Sequence, residues 1–300
     1  MRRRDFLWLA GSTAWGAERA SVLVHEHVLV DFVGADQIGP GRYDPNEVFR
    51  LARPKLEELK RFGCRRVLDC TPNFLGRDPE LLRRLSDAVG IEVWSNTGLY
   101  GAANHRFLPA FVRTETPAQL AKRWLTETRE NWHPRFIKIG VNRGPLDELD
   151  AKLVRAAAIT ARETGLTIAS HTGDGAAAIE QLEIVTAERV SPAKFVWVHA
   201  QNERSHELHE KVARAGAWVE FDGIGPKTID LHLQCVGFLA AKGLGGRTLI
   251  SQDSGWYHVG ESGGGEFRGY TYLYTDFLPR LEPAQISALM WDNPRLAFGA

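Results

Sequence analysis

The chain has 300 residues, 44% hydrophobic and 25% charged, the composition of an ordinary globular protein with room for one large α/β domain or two smaller ones. Its 37 Lys and Arg balance 37 Asp and Glu, which excludes a global field that would draw it to nucleic acid or to an acidic membrane. The three cysteines imply no disulfide framework, because Cys64 and Cys70 fall on one predicted strand, about 20 Å apart when extended.

The chain opens with a basic start, a short apolar run and small residues through Ala17. Within it Arg3-Arg4-Asp5-Phe6-Leu7 resembles a twin-arginine export signal. The expectation is a signal segment over 1–20, a folded domain over 21–300, and a periplasmic or secreted location. Free cysteines, and a first strand that starts almost at once, speak for a cytoplasmic alternative. The apolar run is far too short to span a membrane.

Apolar runs of strand length then alternate with helical patterns. The first strand is predicted over 21–25, ending in His25-Glu26-His27. Asp44-Pro45 opens a helix over 46–61, with Pro54 as a kink and Gly63 as its stop. A second strand over 66–71 leads to a helix opened by Asp78-Pro79 and closed by Gly90. The third strand, 92–98, is followed by a polar loop and a helix over 116–132. The fourth strand, 136–141, precedes an Ala-rich helix over 149–164, and the fifth, 167–172, a helix over 175–187. The sixth strand, 195–199, the seventh, 218–222, and the eighth, 248–253, alternate with helices over 203–215 and 230–242. A Gly-rich loop over 254–269 and a closing helix over 283–298 complete the chain.

Strict β–α alternation implies a parallel sheet. Eight units in about 250 residues is the size of a single-domain (β/α)8 TIM barrel. An open doubly wound sheet is the alternative, but no Gly-x-Gly-x-x-Gly follows the first strand.

In such a barrel the functional site lies at the C-terminal ends of the strands. Those ends carry His25 and His27, Lys138, His171, His199 and Asp253. Alternate strand residues share a face, so His25 and His27 point one way and Glu26 the other. Two imidazoles side by side suit a divalent metal, although the pair alone reads better as two surface or core histidines. Lys138 is a cation between Phe136, Ile137, Ile139 and Val141, in a strand expected to be buried on both faces. An unpaired charge there is costly, so it is either paired with a carboxylate or chemically modified. Four histidines, a lysine and an aspartate at one barrel mouth are hard to explain by structure alone.

With His25-Glu26-His27, Phe136-Ile137-Lys138-Ile139-Gly140, Ser170-His171-Thr172, Val198-His199 and Asp253, the chain resembles the phosphotriesterase-related branch of the amidohydrolase superfamily. Smaller matches are Asn96-Thr97-Gly98-Leu99-Tyr100, Phe221-Asp222-Gly223-Ile224-Gly225 and Asp292-Asn293-Pro294. The resemblance implies a binuclear metal centre, most often Zn2+, with Mn2+, Co2+ or Fe2+ as alternatives. It implies that His25, His27 and Asp253 hold the more buried ion and His171 and His199 the more exposed one. Lys138 would be N6-carboxylated and bridge the two, which resolves its buried charge. The implied activity is hydrolysis of an ester-like bond (phosphotriester, lactone or carboxylic ester) in a small-molecule substrate by a metal-bound hydroxide, with Asp253 as base. A C–N-cleaving amidohydrolase and a non-catalytic metal-binding barrel are the alternatives. Family analogy also implies a homodimer.

Tyr100 resembles a pocket tyrosine of the lactonase members. Those members carry an Arg-Tyr pair after the strand-seven Asp, where this chain has Gly223-Ile224. Trp256 and His258, in the long Gly-rich loop, are expected to line the substrate site. The short segment before the first strand implies that any strand capping the barrel bottom is absent or supplied otherwise.

Overall fold

The computed structural model of the protein describes residues 20–130 and 132–299. The signal segment expected over 1–20 lies, apart from Ala20, outside the described residues.

The strands are β1 (Ser21–Val30), β2 (Cys64–Asp69), β3 (Glu92–Trp94), β4 (Asn96–Thr97), β5 (Phe136–Val141), β6 (Ile168–Thr172), β7 (Phe195–Val198), β8 (Trp218–Phe221), β9 (Thr248–Ile250) and β10 (Gly255–His258). They pair in the orders β10-β1-β2-β3 and β4-β5-β6-β7-β8-β9, and every registered pair is parallel. Only Ser95 separates β3 from β4, and only residues 251–254 separate β9 from β10. The two sheets are thus one ring, interrupted in its third and eighth strands, and the fold is the expected TIM barrel.

Local chemistry starts and stops the surrounding helices. Asp44 and Asp78 cap the helices Pro45–Glu58 and Pro79–Val89, each with proline in its first turn, and Thr116 with Gln119 forms a capping box on Pro117–Glu127. Left-handed Gly63, Gly90 and Gly165 end three helical segments, where a side chain would be strained.

Four boundaries depart from the sequence reading. β1 runs on to Val30, because residues 27–30 gain a partner in β10, inside the stretch expected to be loop. The helix that starts at Pro117 ends at Glu127. The closing helix is three pieces, Pro283–Ser287, a wider turn Ala288–Asp292, and Asn293–Phe298, with Pro294 at the start of the last. The third strand is split at Ser95.

Apolar residues form two layers. The outer one joins strands to helices. The inner one fills the barrel with Val22, Val24, Leu68, Cys70, Phe136, Ala169, Val196 and Trp218, and it ends in Ala297 and Phe298. The carbonyl of Ala297 accepts a 2.5 Å hydrogen bond from Thr167 Oγ1. The C-terminal turn therefore packs against the barrel's lower core, where a capping strand was expected to be absent or supplied otherwise. The three cysteines are free and buried. Among the described residues no helix is long and apolar enough to cross a membrane.

Candidate metal centre

Strict alternation from Val22 and Val24, which face the barrel interior, would turn Glu26 inward and both histidines outward. The register between β1 and β2 shifts between Leu23 and Glu26. An irregularity of this kind exchanges faces, so His25 and His27 enter the barrel and Glu26 enters its wall.

Each histidine is set in one tautomer. His25 Nδ1 lies 2.8 Å from Glu220 Oε1 and 3.4 Å from Asp222 Oδ2, so Nδ1 carries the proton and Nε2 offers a lone pair. Thr71 Oγ1 donates to the Leu29 carbonyl at 3.0 Å and therefore accepts from His27 Nδ1 at 2.7 Å. The two Nε2 atoms face each other at 3.3 Å. Asp253 Oδ1 stands 3.7 Å from the first and 3.2 Å from the second, and it is buried with no hydrogen-bond donor among the described residues. Three acceptors converging without a donor is an arrangement that a protein interior avoids unless a cation lies among them. Two imidazoles and a carboxylate are a fitting donor set for a divalent transition ion. Burial holds the pKa of His25 down at about 4, which keeps the ring neutral, as metal ligation requires.

The other expected ligands arrive from β5, β6 and the end of β7. His171 and His199 pack edge to face at 4.4 Å, and His199 lies 5.0 Å from His25. His199 takes the left-handed conformation, with φ at 62°. That turn is held by Asp222, which accepts the His199 backbone N–H at 3.0 Å, its Nδ1–H, and Gln201 Nε2 at 2.9 Å. Burial alone would lower the pKa of His199; the Asp222 carboxylate outweighs it and the pKa rises. Burial and the neighbouring His199 and Lys138 push that of His171 well down. Lys138 is buried, its ammonium 5.9 Å from the Tyr100 ring centre, and it forms no hydrogen bond or ion pair among the described residues. The carboxylate partner that the sequence left open for Lys138 is not found among them.

Glu220 was not singled out in the sequence. It shares the inward face of β8 with Trp218, and burial with the charge of Asp222, just past the strand's end, pushes its carboxyl pKa well up. The rule that marked Lys138, a charge on the inner face of a buried strand, would have marked it too. Thr71, the tautomer lock of His27, gave no signal beyond its place after β2.

Aromatic rings surround the mouth. Trp256 lies 4.3 Å from the His27 ring and its Nε1 donates to the Asp253 carbonyl at 2.7 Å. Tyr100 packs edge-on to His171 at 5.0 Å. His258 stands farther out, stacked 6.0 Å from Trp256. Phe32 and Phe107, neither expected from sequence, close the arc between Trp256 and Tyr100 with ring spacings of 5.8, 6.0 and 5.9 Å. A second acidic group, His105 with Asp147 and Asp150, sits apart and is tied internally through Asn142.

The family model described as the phosphotriesterase family matches residues 13–298. The chain is 27% identical over 291 residues to the phosphotriesterase homology protein of Escherichia coli (strain K12), covering 92% of this chain and 97% of that one. It is 28% identical over 217 residues to an aryldialkylphosphatase of Saccharolobus solfataricus, covering 70% and 67%. The crystal structure of the Escherichia coli protein complexed with phosphate in its active site superposes with a TM-score of 0.80 at 24% identity, over 93% of this chain and 99% of that one.

Proposed function

The chain belongs to the phosphotriesterase family, and from that premise we propose that it is a metal-dependent hydrolase of an ester-like bond: a phosphotriester, a lactone or a carboxylic ester. The observation that carries the reading is Asp253 Oδ1, buried beside the facing Nε2 atoms of His25 and His27 with no donor among the described residues.

In this reading two divalent ions are held, one by His25, His27 and Asp253, the other by His171 and His199. Lys138, if its neutral amine added CO2 and released a proton to leave a carbamate anion, would supply a ligand to both ions and remove the cost of its buried cation. Zn2+ suits this nitrogen and oxygen donor set, as do Mn2+, Co2+ and Fe2+. When bound, such a pair acidifies a water and polarises the P=O or C=O under attack. Asp253 receives the proton released in the attack at its side-chain oxygen. Glu220, Asp222 and Thr71 keep the ring nitrogens of His25, His199 and His27 turned towards their ions. Tyr100, Trp256 and His258, joined by Phe32 and Phe107, face the substrate and favour a flat apolar group over an anionic one. Export of the 21–300 barrel by the segment 1–20 rests on Arg3-Arg4-Asp5-Phe6-Leu7 alone, and assembly as a homodimer rests on family analogy.

The test is turnover by purified protein loaded with Zn2+ or Mn2+ on a panel of a neutral aryl phosphotriester, several lactones, an aryl carboxylic ester and an amide. Hydrolysis of at least one of the first three, lost on chelation, is the expected result. Preference for the amide would move the reading to C–N cleavage, and turnover of none would overturn it.

A further inference from the structure

Glu26, the middle residue of His25-Glu26-His27, faces away from the barrel interior and is fully buried. No cationic side chain among the described residues pairs with it. Its carboxylate instead takes hydrogen bonds from the stretch that carries Asp253. Oε1 accepts from Ser251 Oγ at 2.8 Å, Gln252 N at 3.2 Å and Gln252 Nε2 at 3.4 Å, and Oε2 accepts from Ser254 N at 2.7 Å.

These bonds fall where the sheet is interrupted. β9 ends at Ile250 and β10 begins at Gly255, so residues 251–254 lie outside both strands. Asp253 sits in the middle of that gap in the left-handed region, with φ at 50°. Its own N–H reaches the His25 carbonyl at 3.2 Å, and His27 N–H reaches the Ser254 carbonyl at 2.9 Å. The chain then passes so close to β1 that a Cβ on Gly255 would fall 1.7 Å from the His27 carbonyl oxygen. A non-glycine residue in a left-handed conformation persists only when its surroundings determine it. Glu26 supplies that determination from both sides, through residues 251 and 252 before Asp253 and residue 254 after it.

We propose that Glu26 is a positioning residue for Asp253: it touches no substrate or metal, and through the backbone of residues 251–254 it fixes the oxygen that faces His25 and His27. The inference rests on the metal-site reading above. It also gives the middle residue of the motif a reason to be a carboxyl, since its two oxygens face four donor atoms of residues 251–254.

The test compares Glu26→Gln in the wild-type background and in an Asp253→Asn background, with the full chain. Glutamine keeps the size but turns an NH2 group towards one of the donors. The primary readout is Zn2+ affinity by competition with a chelator, which needs no known substrate. The visible spectrum of the Co2+-loaded protein reports the geometry at the same ions. The expected result is a tenfold or greater loss of affinity for the tighter-bound ion in Glu26→Gln, with an altered Co2+ spectrum, and no further loss when Asp253→Asn is already present. Equal loss in both backgrounds, or no loss in either, overturns the proposal. Should Glu26→Gln fail to fold, Glu26→Asp keeps the carboxylate but draws its oxygens back from residues 251–254, and a smaller loss confined to the Asp253 background is expected. Where the substrate panel gives turnover, kcat falls about tenfold with KM held within threefold, and the acid limb of the pH profile moves. If the panel gives none, the hydrolase reading fails while the affinity comparison still decides the role of Glu26.

Discussion

Asp222 accepts the Nδ1 proton of His199 and the backbone N–H of the same residue, the latter at 3.0 Å. Its other contact, 3.4 Å from His25 Nδ1, makes one carboxylate the common support of two imidazoles that the proposed reading gives to different ions. Asp222→Asn keeps the shape but offers one acceptor oxygen in place of two. Outer partners of metal-bound histidines are worth 10- to 100-fold in metal affinity. Chelator titration of Asp222→Asn is therefore expected to show weakening of about that size. Unchanged affinity would mean that the ring of His199 is oriented by something else.

Lys138 makes opposite predictions for the metal-free and metal-loaded chains. Without metal it is a buried cation with no hydrogen bond or ion pair among the described residues, facing only the Tyr100 ring. Replacing it with methionine removes that cost, and replacing buried charges with apolar residues of similar volume stabilises by about 1–4 kcal/mol where it has an effect. Lys138→Met should therefore unfold at a higher temperature than wild type in chelator, yet, if Lys138 bridges the ions as proposed, at a lower one in excess Zn2+. Full metal content in Lys138→Met would remove the bridging role.

Much of this site is legible in the sequence because inward-facing residues recur with period two, and Phe136-x-Lys138 and Trp218-x-Glu220-x-Asp222 both obey it. The first strand does not. Its register shift after Leu23 turns the histidines inward against the alternation set by Val22 and Val24. In sequence the two histidines agree in direction with each other, not with the residues before them. Gly255–His258 has no strand signal in the sequence, since its pairing depends on β1 continuing past His27. Phe32 and Phe107 lie in connecting segments, where no period exists to mark them. Their place at the mouth follows from tertiary packing against Trp256 and Tyr100.

The aromatic arc predicts a division of labour between binding and metal retention. Trp256 touches both the His27 ring and Phe32. Trp256→Ala should raise KM for a substrate with a flat aromatic group several-fold, in line with about 1 kcal/mol for an aromatic pair, and change KM for a small aliphatic ester less. Tyr100→Phe should shift the ratio of activities across the panel while metal content stays at the wild-type level. Loss of metal in Tyr100→Phe would place that hydroxyl among the groups supporting His171, 3.1 Å away, rather than in the pocket.

Behind the metal face, His209 is fully buried against Trp197 and Phe221, and its Nε2 donates to the Ala200 carbonyl at 2.7 Å, in the turn that follows His199. Burial depresses its pKa from 6.5 to about 4. Above pH 6.5 the ring is neutral in both folded and unfolded chains and has no effect on the pH dependence. As pH falls below 6.5 the unfolded chain takes up a proton that the folded one refuses, so stability declines until about pH 4, where the ring charges in both states. At pH 5 the loss is about 2 kcal/mol. His209→Gln cannot titrate, and its amide can still donate to Ala200. In chelator, so that metal release adds nothing, the melting temperature of wild type should fall more between pH 7 and pH 5 than that of His209→Gln, by about 4 °C for a chain of this size. Burial of His25 gives both proteins the same further acid sensitivity, so the difference isolates His209. Parallel melting curves across that range would show that the ring of His209 takes up its proton in the folded chain as readily as in the unfolded one.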